Sequence, residues 1–187
     1  MLITKHAEII IYNIPEVIWD YASDPVNWSA SNPEEHFGLN IDSEDNRPKT
    51  GATFHQKETV AGLFADLRGH FLYVEKPRIT VWRGIATYKV LGGLIRPGIP
   101  EGGVIKIENI NGSCRVSHDV YMDFPDTLFG KIMLLYFKKF LGGEKAVYDH
   151  TYRELVFFKK HLDLDLAGVV TFHPKTGWEA EKAKKAT

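Results

Sequence analysis

Between about residues 37 and 124 the sequence alternates with a period of two, and from Met133 to Leu162 apolar residues recur in steps of three, four or seven. That succession constrains the fold more than any other feature. Period-two runs send alternate side chains to opposite faces of a strand, whereas the second spacing keeps one helical face in register. The strand-like runs are His36–Asp42, Ala52–Val60, Ala65–Glu75, Ile79–Tyr88, Val104–Ile110 and Ser113–Phe124. A polar turn region at Ser43–Gly51, a hairpin tip at Ala61-Gly62, a turn at Lys76-Pro77-Arg78 and an Asn111-Gly112 hairpin turn separate them. Short joints of this kind make consecutive strands antiparallel neighbours. The helical stripe runs through Met133, Phe137, Phe140, Val147, Thr151, Leu155, Phe158 and Leu162, with a kink expected at Gly142-Gly143.

Upstream, Thr4–Tyr12 alternates as a further strand. Pro15 and Glu16 suit the first turn of a short helix, which Ser23-Asp24-Pro25 stops. A second short helix containing Trp28 is expected within Val26–Glu35. Leu91–Gly103 holds five glycines and two prolines and reads as a loop, with a lid as its functional version. Asp163–Thr187 reads as a tail that either packs through Val169, Val170, Phe172 and Trp178 or stays mobile. A sheet of about six consecutive antiparallel strands has one apolar face to cover, and only the long helix can cover it. The expected class is α+β: a curved antiparallel sheet wrapped around a long C-terminal helix, with two short helices after the first strand. Space between such a sheet and its helix is a natural pocket.

Other features exclude function classes. At 187 residues the chain is sized for one domain, assigned here to 1–162. A net charge of −1 gives no electrostatic case for nucleic-acid binding, and the single cysteine, Cys114, excludes a disulfide framework or a multi-cysteine zinc site. No apolar run reaches the roughly 18 residues needed to span a bilayer, and no signal-peptide pattern is visible, so a cytoplasmic protein is expected. Leu128–Leu141, rich in aromatics and carrying three lysines, is read as packing on the sheet in preference to a membrane surface. Phosphate-binding glycine loops, HExxH and G-x-S-x-G are all missing. No cofactor is expected.

The opening Ile14–Trp28, "IPEVIWDYASDPVNW", combines proline, an apolar residue and tryptophan on a short helix with an Asp-Pro turn and a second tryptophan. Together with Lys49–Val60 and Ile110–Pro125, "INGSCRVSHDVYMDFP", it resembles the SRPBCC superfamily of START-like and Bet v 1-like proteins, in its polyketide cyclase/dehydrase branch. The resemblance covers about residues 3–162 and is one of topology and punctuation. It implies a helix-grip fold with a hydrophobic cavity. Members bind lipids, sterols, polyketides or plant hormones, and a minority catalyse cyclisation, dehydration or hydrolysis. The family has no universal catalytic motif to carry over, and the 91–103 loop and the tail are not part of the pattern.

The residues themselves suggest a site. His118 shares parity with Val116, Val120 and Met122 and should face the sheet interior. It is the candidate general acid or base, with Tyr88 or Glu58 as assistants, and a hydrogen-bonded cavity histidine is the alternative. Arg83 is expected to point toward the pocket with Val81 and Ile85, where it would suit a carboxylate or carbonyl. Tyr73, Trp82, Tyr88, Phe137 and Phe140 complete the expected ligand-binding wall. His55 and His70 would face each other across a hairpin centred on Gly62-Leu63, but spacing fixes no third ligand, so no metal is expected. Three functions stay open: a carrier or sensor for a hydrophobic small molecule, a cyclase/dehydratase-like lyase, and a protein-interaction module. A homodimer is also left open.

Overall fold

The computed structural model describes residues 1–163 and the backbone of 170–173 and 177–180. Strand β1 (Leu2–Ile11) leads into the short helices α1 (Pro15–Ala22) and α2 (Pro25–Ala30). Six strands follow: β2 (His36–Asp42), β3 (Thr53–Val60), β4 (Leu63–Glu75), β5 (Ile79–Tyr88), β6 (Gly98–Asn109) and β7 (Cys114–Asp123). Helices α3 (Leu128–Phe140) and α4 (Gly143–Leu162) come next, then a small hairpin, β8 (Val170–His173) and β9 (Gly177–Ala180). The first seven strands form one antiparallel sheet in the order β1-β7-β6-β5-β4-β3-β2. Strands β2 to β7 follow one another as hairpins, while β1 pairs with β7 from Leu2↔Asp123 to Ile11↔Cys114. The α1–α2 excursion therefore carries the chain from one sheet edge to the other.

Helix α4 packs on β1, β7 and β3. Its buried face, Val147, His150, Thr151, Glu154, Leu155, Phe158 and Leu162, is apolar except for three residues. Leu155, Phe158 and Leu162 join Ile11, Ile18, Trp19 and Val116 in one apolar cluster. Phe54, Leu67, Phe71, Ala86, Ile99, Met122 and Phe137 form another. This is an α+β helix-grip architecture, with an open curved sheet and a long C-terminal helix.

Four details differ from the sequence reading. The long helix is two helices. Gly142 takes the left-handed φ of 78° that suits a residue just past a helix end, so α3 stops there instead of kinking. Helix α3 buries only Gly130 and Phe137, and leaves Leu128, Ile132, Leu135 and Phe140 exposed. The second half of the glycine-rich segment is strand: Leu91–Gly93 forms a 3₁₀ turn, and β6 starts at Gly98. Two of its glycines make room for rings. A Cβ on Gly102 would lie 2.5 Å from Tyr121 Cε1, and one on Gly103 would lie 2.8 Å from Trp82 Nε1.

The β3–β4 register differs as well. His55 pairs with Arg68 and His70 with Thr53, so the two histidines are not opposite each other. Instead, His55 Nε2 meets Asp66 Oδ1 at 3.0 Å. Of the tail, Val170 to His173 pair with Ala180 to Gly177. The side-chain packing expected for Val169, Val170, Phe172 and Trp178 lies outside the described residues. No helix among the described residues is long and apolar enough to cross a membrane.

Candidate functional site

Between the sheet and the helices lie two adjoining chambers, with Tyr88 and Met122 in the walls of both. The inner one has a volume of about 120 Å³. Its apolar wall includes Trp28, Leu39, Phe54, Leu67, Trp82, Val120 and Val147, and its polar wall includes Gln56, Glu58, Tyr88, Glu101, His118, His150 and Glu154. The outer chamber, of about 220 Å³, lies beneath α3 and is lined by side chains such as Val90, Ile95, Ile99, Phe124, Met133 and Phe137.

The polar wall is a connected network. Glu154 on α4 is 2 % exposed and is shared by three imidazoles. Its Oε2 lies 3.1 Å from His118 Nδ1, and its Oε1 lies 3.2 Å from His36 Nε2 and 3.3 Å from His150 Nε2. Each outer ring nitrogen is held from behind. His36 Nδ1 is 3.0 Å from the carbonyl oxygen of Trp28, and His150 Nδ1 is 2.6 Å from Glu35 Oε2. Carbonyl and carboxylate oxygens only accept, so in both rings Nδ1 carries the proton. Trp28 also stacks its ring parallel to His36, with centroids 6.1 Å apart, and sets an edge against His118. His118 Nε2 and Trp28 Nε1 are buried with no partner among the described residues.

Burial and charge compete throughout this network. For Glu154 burial opposes ionisation, but the three histidines outweigh it and hold the carboxyl well below its usual range. Burial pulls His150 down, yet Glu154 and Glu35 lift it to about 10. His36 is raised in the same way, against its burial, by Glu154 and then Glu58. Glu58 goes the other way: burial is its largest influence and raises it. Glu101 is pushed up to about 8 by burial and then by the charge of Glu58, so it is a neutral acid near pH 7. Tyr88 donates to Glu101 Oε1 at 2.6 Å, and burial followed by the Glu101 charge raises the phenol well above its ordinary value.

The structure brings Trp82, Tyr88, His118 and Phe137 to the chamber walls, together with Glu58. It sets Tyr73, Arg83 and Phe140 outside them. A bulge between Phe71 and Tyr73 reverses the alternation, so Phe71 is buried and Tyr73 is 48 % exposed, its hydroxyl on Glu75. On β5 the inward set is Trp82, Gly84, Ala86 and Tyr88, which turns Arg83 to solvent with its neighbour Ile85. Phe140, in the last turn of α3, is 73 % exposed because it lies on the outer side of the helix, its ring beside that of exposed Tyr136 while Phe137 takes the buried side.

His36, His150, Glu154, Glu35 and Glu101 were absent from the sequence reading. Two of them had a visible signal. His150 and Glu154 are four residues apart, each next to a stripe residue (Thr151, Leu155), and so lie on the same helical face as the apolar stripe. His36 had none, because β2 carries a bulge between His36 and Gly38. Regular alternation from Leu39 and Ile41 would put Phe37 inside; the bulge turns Phe37 out and His36 in.

No protein-family model matches the sequence, and no curated protein matches it. Solved structures do match in fold. A hypothetical protein from Helicobacter pylori superposes with a TM-score of 0.58 at 8% identity, over 87% of this chain and 88% of the other. A START superfamily protein from Mycobacterium smegmatis gives 0.54 at 13% identity, over 86% and 96%. The major latex-like protein 151 of Panax ginseng gives 0.50 at 8% identity, over 80% and 97%. The chain has the START/Bet v 1-like fold.

Proposed function

We propose that a chain with this fold and this cavity binds a hydrophobic small molecule, lipid- or polyketide-like, that carries one polar group. The apolar body occupies the outer chamber and the polar group reaches the inner wall. The observation that carries the reading is His118 Nε2, buried without a partner among the described residues at the polar end of an otherwise apolar space. An unpaired buried polar nitrogen costs about 1–3 kcal/mol, which a ligand hydroxyl, carbonyl or carboxyl relieves. Open chambers of this size argue against the filled core expected of a pure interaction module. Trp28 and Trp82 line the inner chamber, so a conjugated polyene fatty acid bound there quenches tryptophan emission by energy transfer. Saturable one-to-one quenching is expected, about 3–10-fold weaker in His118→Ala. Equal affinity in the variant refutes the assigned anchor, and quenching that never saturates refutes the cavity as the site.

A second reading is a cyclase/dehydratase-like lyase with His118 as acid or base, and one observation favours it. With Glu154 Oε2 accepting from Nδ1, the lone pair of the neutral ring sits on Nε2, facing the cavity. A carboxylate that orients an imidazole in this way is the general arrangement of an activated base. Under this reading His118→Gln abolishes turnover while substrate affinity changes little.

A further inference from the structure

The chamber's polar end holds a convergence of donors that ligand binding alone does not require. His36 Nε2, His150 Nε2 and Glu154 Oε1 lie 3.2 Å, 3.3 Å and 3.3 Å from one another. All three residues are buried, at 5 %, 8 % and 2 % exposure. We infer that His36, His150 and Glu154 form a binding site for one divalent transition-metal ion of the zinc type.

Three independent features support the assignment. The first is spacing. A tetrahedral ion with nitrogen and oxygen ligands at about 2.0–2.1 Å separates its ligand atoms by about 3.3–3.4 Å, which is the triangle these atoms make. The second is ring orientation. Each Nδ1 proton goes to an oxygen behind the ring, Trp28 O at 3.0 Å and Glu35 Oε2 at 2.6 Å, which directs both Nε2 lone pairs at the same point. Metal-bound histidines are held in this way, by a carbonyl on one ring and a carboxylate on the other. In the metal-free chain, Nε2 protons directed at Glu154 Oε1 hold the same triangle, and a bound ion displaces them. The third is the outer support of the carboxylate. Glu154 Oε2 accepts from His118, which leaves Oε1 for the ion. Arg153 and Asn32 in turn hold Glu35 Oε2, each at 2.7 Å.

Two imidazoles with one carboxylate suit zinc and its first-row neighbours better than calcium or magnesium, which take oxygen sets. Glu58 Oε2 stands 3.7 Å from both Nε2 atoms, farther than a ligand edge. The first sphere is thus three protein atoms, with Glu58 beside the fourth position. His150, Glu154 and Glu58 all line the inner chamber, so that position faces the cavity. A water or the polar atom of a bound molecule can occupy it.

The test uses metal alone, with no hydrophobic ligand, so its failure leaves the binding reading untouched. Chelator-stripped full-length protein is titrated with Zn²⁺ against a chromophoric chelator, and separately with Co²⁺ under visible absorption. One Zn²⁺ per folded chain and the intense visible band of low-coordinate Co²⁺ are expected. His36→Gln and Glu154→Gln weaken binding at least about 100-fold, and Glu35→Gln, which touches only the outer support, about 10–100-fold. His55→Gln, on the β3 surface pair, changes nothing. A wild-type chain without the Co²⁺ band overturns the site, whether or not the variants fold. Wild-type affinity retained in a folded His36→Gln variant overturns it as well and leaves a proton-bridged network only.

Discussion

Glu101→Gln should remove its own share, roughly 3–4 kcal/mol, of the fall in stability between about pH 5 and pH 8. In the fold, burial and then the Glu58 charge push the Glu101 carboxyl up to about 8, against an ordinary value of 4.5. Between those values the folded chain keeps a proton that the unfolded chain has released. Raising the pH therefore favours unfolding. The contribution is complete below about pH 4.5 and is lost as the pH rises through about 8. Each pH unit inside the interval costs about 1.4 kcal/mol, so the wild-type protein should lose roughly 3–4 kcal/mol across it from this residue. The substituted glutamine is neutral at every pH and still offers Tyr88 an oxygen, so the variant should be flatter by that amount. Other groups titrate in both proteins, and the difference between the two curves isolates position 101. Urea unfolding followed by tryptophan fluorescence, at half-unit pH steps, supplies the curves. Parallel curves would refute the claim that a neutral carboxylic acid is buried in this chamber.

Three further outcomes follow from the same geometry. Tyr88→Phe removes the phenol that donates to Glu101 at 2.6 Å and should shift that titration to higher pH in the same unfolding series. Leu155→Ala empties a position 1 % exposed between α4 and the β1 side of the sheet, and should cost about 2–5 kcal/mol by urea denaturation. Gly142→Ala forces a side chain onto φ 78°, with its Cβ 3.1 Å from that of Ala146. It should cost about 1–2 kcal/mol, with Gly142→Asn milder because asparagine tolerates the left-handed region, as thermal melts of the pair would show.

What the sequence disclosed and withheld divides along physical lines. Period-two runs joined by short turns report which strands are neighbours, because hairpin connection leaves little choice; the sheet order from β2 to β7 follows. Alternation also turned His118 inward, since β7 pairs with both neighbours without interruption. On β5 the alternation held but the inward parity was that of Trp82, not Arg83, and elsewhere the reading failed where one extra residue was inserted. The bulge beside Tyr73 moved that side chain to solvent, and the bulge after His36 hid a network member on what looked like the wrong face. A helical stripe likewise reports a face but not continuity: Gly142 divides it, and Phe140 lies on the outer side of α3. The His-Glu network combines β2, β7, α4 and the α2–β2 connection. Only His150 and Glu154 within it are sequence neighbours on a helix, so tertiary pairing alone could assemble the rest.

The central claim is that the space between sheet and helices receives a hydrophobic molecule whose polar end meets His118. Native mass spectrometry of the wild-type protein and His118→Ala, each incubated with one equimolar mixture of fatty acids, fatty alcohols, sterols and aromatic polyketides, tests it most directly. At least one compound bearing a polar group should be retained at one per chain by the wild type, and retention should fall in the variant. A wild-type protein that keeps none of them, or a variant that keeps the same compound equally well, would contradict the claim.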